Sequence, residues 1–154
     1  MSFRTTATDV GMRAMNAIHR AILTVSGGRV GWQIGPMEVV ELHTVGRSTG
    51  RTRSTLLTAP VSDSKRLVLV ASKGGSDSHP QWYLNLHAHP DAEVTVSGRR
   101  EKVHTRTASA EERAELWPRI VDAYPGYARY QSKTTREIPV VICERHRDGD
   151  LSET

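Results

Sequence analysis

Aliphatic and β-branched runs separated by polar turns set the pattern of the chain after residue 38. Residues 39–45 read as a strand. Gly46-Arg47-Ser48-Thr49-Gly50 is a turn with glycine at both ends. Residues 55–61 form a second strand and pair with the first as a hairpin. Asp63 and Ser64 turn the chain into a third strand over 67–72. Two short strands, 94–96 and 103–107, are joined by a turn at Ser97 and Gly98. A last strand covers 138–143, where Pro139 predicts either an edge position or a late start. Six strands joined mostly as hairpins predict an antiparallel sheet. Curling it into a closed or partly closed barrel protects its edges.

Helical spacing marks three further segments. Val10, Ala14, Ala17, Ala21 and Val25 recur on one face, widened by Met15, Ile18 and Ile22, and Asp9 is placed to cap them. Arg13, His19 and Arg20 fall elsewhere. This segment reads either as a helix docked on the domain or as a basic amphipathic helix touching a membrane surface. A second helix opens at Pro80 and ends by 87–90. Ser109 and Glu112 have capping-box spacing for a third, whose apolar face is Leu116, Trp117, Ile120 and Val121. Pro118 inside that pattern predicts a kink or a restart. The organisation expected is a helix over 1–25, a barrel domain over 26–144 and a mobile charged tail over 145–154.

The stretch 71–85, ASKGGSDSHPQWYLN, has the strongest local case for a site. It joins a strand end to a helix start through Lys73, Gly74 and Gly75. Glycines let backbone N–H groups come close to a ligand, and a side chain at Gly75 is expected to block that approach. Lys73 adds a point charge, and the helix start adds free N–H groups and partial positive charge. Trp82 and Asn85 share one helix face, which reads as a pocket wall. Tyr83 and Leu86 share the next, read as the core side. A plain strand–turn–helix connection with a solvated lysine is the competing reading.

Composition narrows the function classes. The chain has 154 residues, enough for one domain with a core of its own, and a net charge of +4. That charge favours anionic ligands without implying nucleic acid, because the basic residues are dispersed. Cys143 stands alone, so no disulfide and no thiolate metal site forms within one chain. The seven histidines show no metal-ligand spacing, and no Gly-x-Ser-x-Gly, Rossmann or P-loop fingerprint is present. With no signal peptide or membrane-spanning run in view, a cytoplasmic protein is expected, peripheral to the inner face of the membrane if the N-terminal helix touches it and free of it if that helix docks on the domain.

Two residue sets remain. Arg47, Arg51 and Arg53 lie on or just after the first hairpin turn, with Lys73 on another loop. Arginine matches phosphate and carboxylate oxygens in pairs. Tyr124, Tyr127 and Tyr130 recur every three residues. Core packing and a pocket wall both remain open for them. In a pocket, a tyrosine is a hydrogen-bonding acid at neutral pH.

GRSTGRTR at 46–53, ASKGG at 71–75, HPQWYLNLHAHP at 79–90, EERAELWP at 111–118, YPGYARYQ at 124–131 and REIPVVICE at 136–144 occur in that order. Over 27–144 the chain resembles the deazaflavin-dependent nitroreductases and quinone reductases of actinobacteria, which use coenzyme F420. The resemblance implies an α+β, mainly β fold: a six-stranded antiparallel split β-barrel related to flavin reductases. It implies hydride transfer from the reduced cofactor to a quinone, nitroaromatic or enone acceptor. Carried over by position, Arg47, Ser48, Thr49, Arg53 and Lys73 hold the cofactor's phosphate and glutamate tail. Ala71, Ser72, Gly74 and Gly75 meet the deazaflavin edge, and Trp82 and Asn85 line the channel. Tyr124, Tyr127 and Tyr130 line the acceptor side, with Tyr127 as proton donor and Ser72 beside it in the catalytic set. Ser48 stands where the family pattern has lysine, and Arg51 is placed to supply the charge. FMN on the same barrel and a non-catalytic deazaflavin carrier are the alternatives.

Overall fold

The computed structural model describes residues 33–146. The helix read over 9–25 and the tail beyond residue 146 lie outside them, and so do both readings of that helix, docked on the domain or touching a membrane surface. The described strands are β1 (Gln33–Ile34), β2 (Met37–Val45), β3 (Thr52–Ala59), β4 (Val61–Ser62), β5 (Arg66–Val70), β6 (Asp91–Val96), β7 (Arg99–Thr107) and β8 (Val140–Arg145). The helices are α1 (Gln81–Ala88), α2 (Ala110–Ala123) and α3 (Gly126–Ser132), and a single 3₁₀ turn covers Lys73–Gly75. β1 and β4 have two residues each. The other six strands are the six expected from the pattern.

Every ladder is antiparallel. The strands run in the order β3-β2-β6-β7-β8-β5-β4, with β1 on the start of β2. β3 and β4 are separated by Pro60 alone. β3 pairs with β2 up to Ala59, and Val61 of β4 pairs with Val68 of β5. Proline has no N–H to give a ladder, so the strand read as continuous over 55–61 changes partners there. This switch carries the chain from one edge of the curled sheet to the other, and β3 lies against β5 without a ladder between them. The split barrel follows from it.

β6 and β7 reach further than their apolar residues suggest. Register runs from Asp91↔His104 to Val96↔Arg99, so charged pairs extend the ladder on a solvated face. Ser97 and Gly98, with φ of 50° and 80°, close the hairpin in the doubly positive geometry that suits strand twist. β8 begins late, just after Pro139, and it is not an edge strand. It lies between β5 and β7 and is buried on both faces.

Burial divides into two layers. Val40, Leu42, Leu67, Leu69, Val94, Val141 and Cys143 form one cluster, capped by Trp82 and Leu86 of α1. Val68, Val70, Val140 and Ile142, on the opposite faces of β5 and β8, pack under Leu116 and Ile120 of α2 and Tyr127 of α3. The core side of α1 therefore differs from the one read in the sequence: Trp82 and Leu86, four apart, are its core pair, and Tyr83 is only half-buried. The capping box of α2 is present, with Ser109 and Glu112 bonding each other's backbone N–H. The helix runs through Pro118 without a restart. Pro118 lies on its exposed face, where the carbonyl it leaves without a helical partner is open to water.

Candidate functional site

The chain leaves β5 into a tight left-handed turn. Lys73, Gly74 and Gly75 have φ of 46°, 63° and 84° in succession. Two are glycines, which take such angles without a Cβ penalty, and the lysine is held there by what surrounds it. The main support is Arg136. Its guanidinium donates to the carbonyls of Ala71 (3.2 Å), Ser72 (2.8 Å) and Ser76 (2.7 Å). Gln131 in turn accepts from Ile138 N–H at 2.9 Å and donates to the Arg136 carbonyl at 2.8 Å, which fixes the segment carrying Arg136.

The loop's acceptors are thus occupied from behind while some of its donors are not. The N–H groups of Ser72 and Gly74 make no hydrogen bond among the described residues, although Ser72 is only 8% exposed. Nearly all buried backbone N–H groups in native proteins have a partner. A ligand carrying acceptor oxygens would supply one. His79 closes the side of the loop, with Nδ1 3.2 Å from Arg136 and its ring 4.8 Å from that of Tyr83. Burial, and then the Arg136 charge, hold His79 below the usual histidine range.

On one flank the start of α1 gathers cations. Arg47 donates to Asn85 Oδ1 at 2.9 Å and to Gln81 Oε1 at 2.8 Å, and Asn85 donates onward to Thr44 at 3.2 Å. Lys73 Nζ reaches Ser78 at 3.2 Å. Two of the expected cofactor cations therefore flank one helix start, whose first N–H groups add to the positive field. Ser48, Thr49, Arg51 and Arg53 lie exposed on the adjoining hairpin, where Thr49 accepts from the Arg51 N–H. Among the described residues, none of Arg47, Arg51 and Arg53 forms an ion pair with a carboxylate. Asn85 belongs to this cluster as expected from the sequence. Trp82 lies 6% exposed in the barrel interior, where its evident role is packing.

On the other flank lies α3. Tyr124, Tyr127 and Tyr130 form a mutual cluster with ring centroids 5.3, 6.1 and 6.2 Å apart. The Tyr127 hydroxyl shares a 3.0 Å hydrogen bond with Thr58. Burial raises the pKa of Tyr127 and pushes Tyr130 up to about 12. Both stay protonated at neutral pH, so each can give a proton but not take one as a phenolate base, and each hydroxyl can still donate or accept a hydrogen bond. Gly75 packs on this helix: a Cβ there would lie 2.7 Å from the Tyr130 carbonyl oxygen and 3.0 Å from Lys133 Cβ. Its missing side chain makes room for α3, a reason for glycine that the local sequence does not show.

The sequence reading missed Arg136, Gln131, His79 and Thr58 as site residues. Arg136 lies 64 residues from the Ser72 carbonyl it holds, and nothing local marks that pairing.

A family model described as F420H(2)-dependent quinone reductase matches residues 13–145. The chain belongs to this family. An F420H(2)-dependent quinone reductase of Mycobacterium tuberculosis is 37% identical over 140 residues, covering 88% of this chain and 93% of the relative. A solved structure of an F420-H2 dependent reductase is 39% identical, with a TM-score of 0.63 over 69% of this chain and 93% of its own. Another, described as a domain-swapped dimer, is 34% identical, with a TM-score of 0.65 over 83% and 96%. As a member of the F420H(2)-dependent quinone reductase family the chain is an oxidoreductase with coenzyme F420 as its cofactor. Neither FMN nor a carrier role is needed. The residues present fit that cofactor: an acceptor-edged ring suits the open donors at Ser72 and Gly74, and a polyanionic tail suits the cations around the start of α1.

Proposed function

We propose that this family member passes hydride from F420H2 to a quinone. The observation that carries the reading is a loop with its acceptors occupied and its donors open, set between a cationic helix start and a cluster of tyrosines. The bound cofactor supplies the hydride. Ala71, Ser72, Gly74 and Gly75 form the ring-side loop, with Ser72 and Gly74 N–H as its donors. Arg47, Arg53 and Lys73 neutralise the tail and the Thr49 hydroxyl bonds to it, helped by Arg51 where Ser48 replaces the family lysine. Tyr124, Tyr127 and Tyr130 line the acceptor side and keep water from it. Tyr127, protonated and bonded to Thr58, is the group to give a proton to the acceptor oxygen, and the Thr58 hydroxyl is placed to donate a hydrogen bond to the phenolate until a proton from solvent replaces the one given. Ser72 steadies charge at the ring edge.

The test is an acceptor screen with reduced coenzyme F420, reading the return of the oxidised cofactor's absorbance. Quinones should turn over, with nitroaromatic and enone compounds as slower acceptors. Tight cofactor binding with no quinone turnover would refute the reading.

A further inference from the structure

We infer that Arg136 is the positioning residue of the cofactor loop: by clamping the carbonyls of Ala71, Ser72 and Ser76, it presents the Ser72 and Gly74 N–H groups to the deazaflavin edge. The inference rests on the proposed placement of the ring at this loop. The clamp differs from an ordinary surface arginine. Its guanidinium is half-buried and forms no ion pair with a carboxylate among the described residues. It spans the loop from Ala71 to Ser76, bonding carbonyls on both sides of the left-handed turn. A planar guanidinium has donors in several fixed directions, which three divergent carbonyls require. A lysine ammonium is a single point and cannot reproduce that spread.

A peptide unit links the role to recognition. Fixing the carbonyl of one residue fixes the plane of the following N–H, since the peptide bond is planar. Holding the Ala71 carbonyl therefore sets the direction of the Ser72 N–H, one of the two open donors. The clamped Ser72 carbonyl also accepts from Gly75 N–H at 2.9 Å, which closes the turn around Gly74. Arg136 thus acts on the ring end of the site and touches neither Arg47 nor the hairpin that carries Arg53. Its removal should weaken the ring and the whole coenzyme alike, whereas loss of a tail cation should weaken only the whole coenzyme.

The experiment measures binding by fluorescence for two ligands, full-length coenzyme F420 and the tail-less deazaflavin core. The proteins are wild type, Arg136→Ala, Arg136→Lys and, as a destabilised control remote from the loop, Gly98→Ala. Arg136→Ala should lose about ten- to a hundredfold affinity for both ligands by the same factor, the range for a charged hydrogen-bonding group. Guanidinium ion, added well below denaturing concentration, should restore part of that loss, and an equal concentration of potassium should not. Arg136→Lys should bind less tightly than wild type, and Gly98→Ala should bind normally. Wild-type affinity for the core in a folded Arg136→Ala, or in Arg136→Lys if the alanine variant does not fold, would overturn the inference. So would an equal loss in Gly98→Ala, which would make the effect one of general stability. Failure of wild type to bind the core would instead sink the placement of the ring.

Discussion

Replacing Gly75 by alanine tests the packing of the site loop on α3. Two costs add. The residue has φ of +84°, and a side chain in that region costs about 1–2 kcal/mol. Its Cβ would also lie 2.7 Å from the Tyr130 carbonyl oxygen and 3.0 Å from Lys133 Cβ. The first obstacle is helix backbone, so α3 must move by several tenths of an ångström, an overpacking cost of about 1–3 kcal/mol. Together they give roughly 2–5 kcal/mol, a large share of the stability of a domain this size. Since 1 kcal/mol moves Tm by about 2–4 °C at this length, the melting temperature should fall by roughly 4–20 °C. Gly98→Ala is the internal control. Its φ is +80°, and nothing lies within 4 Å of the added Cβ, so it bears the backbone cost alone. Urea titration and thermal melting of both variants give the difference directly. Gly75→Ala should be the less stable by about 1–3 kcal/mol. Equal losses would mean that the loop does not rest on the Tyr130 carbonyl, and the joining of loop to tyrosines would fail with it.

Arg47→Ala should weaken full-length coenzyme F420 by about ten- to a hundredfold, from the loss of charge-assisted bonds, while sparing the tail-less core. Affinity for the full coenzyme should fall as salt rises, because exposed charges are screened over about 8 Å at physiological ionic strength. Ser48→Lys should steepen that dependence, and an equal effect of Arg47→Ala on both ligands would misplace the tail. Tyr127→Phe should slow turnover by about ten- to a hundredfold with little change in cofactor affinity, and unchanged single-turnover rates would remove it as proton donor. His79 gives a pH signature. Its folded pKa lies below its unfolded value, so the unfolded chain binds more protons between the two. Its contribution to stability is full above about pH 6.5 and is lost as pH falls through the folded pKa. Urea titrations from pH 7 to 5 should therefore slope less steeply in His79→Gln, and parallel slopes would count against the burial of this ring.

What the sequence by itself determined is local. Short aliphatic and β-branched runs bounded by turn residues announce the six longer strands, because their apolar side chains must be buried whatever their partners are. Ser97-Gly98 announces a hairpin, and Ser109 with Glu112 announces a helix start, since each needs only neighbours within a few residues. The donor-rich loop and the tyrosine set were legible for the same reason. Tertiary structure decided what those pieces meet. Pro60 reads as part of a strand until two different partners are seen on either side of it. Pro139 allowed an edge or a late start, and only the ladders to β5 and β7 choose between them. Trp82 faces inward because the barrel interior needs a cap there. Gly75 is small because α3, fifty-odd residues further on, rests against it. Arg136 finds carbonyls 60 to 65 residues away, and Tyr127 finds Thr58 at a separation of 69. A hydrogen bond or van der Waals contact depends on distance in space, and along the chain these partners share no pattern that records it.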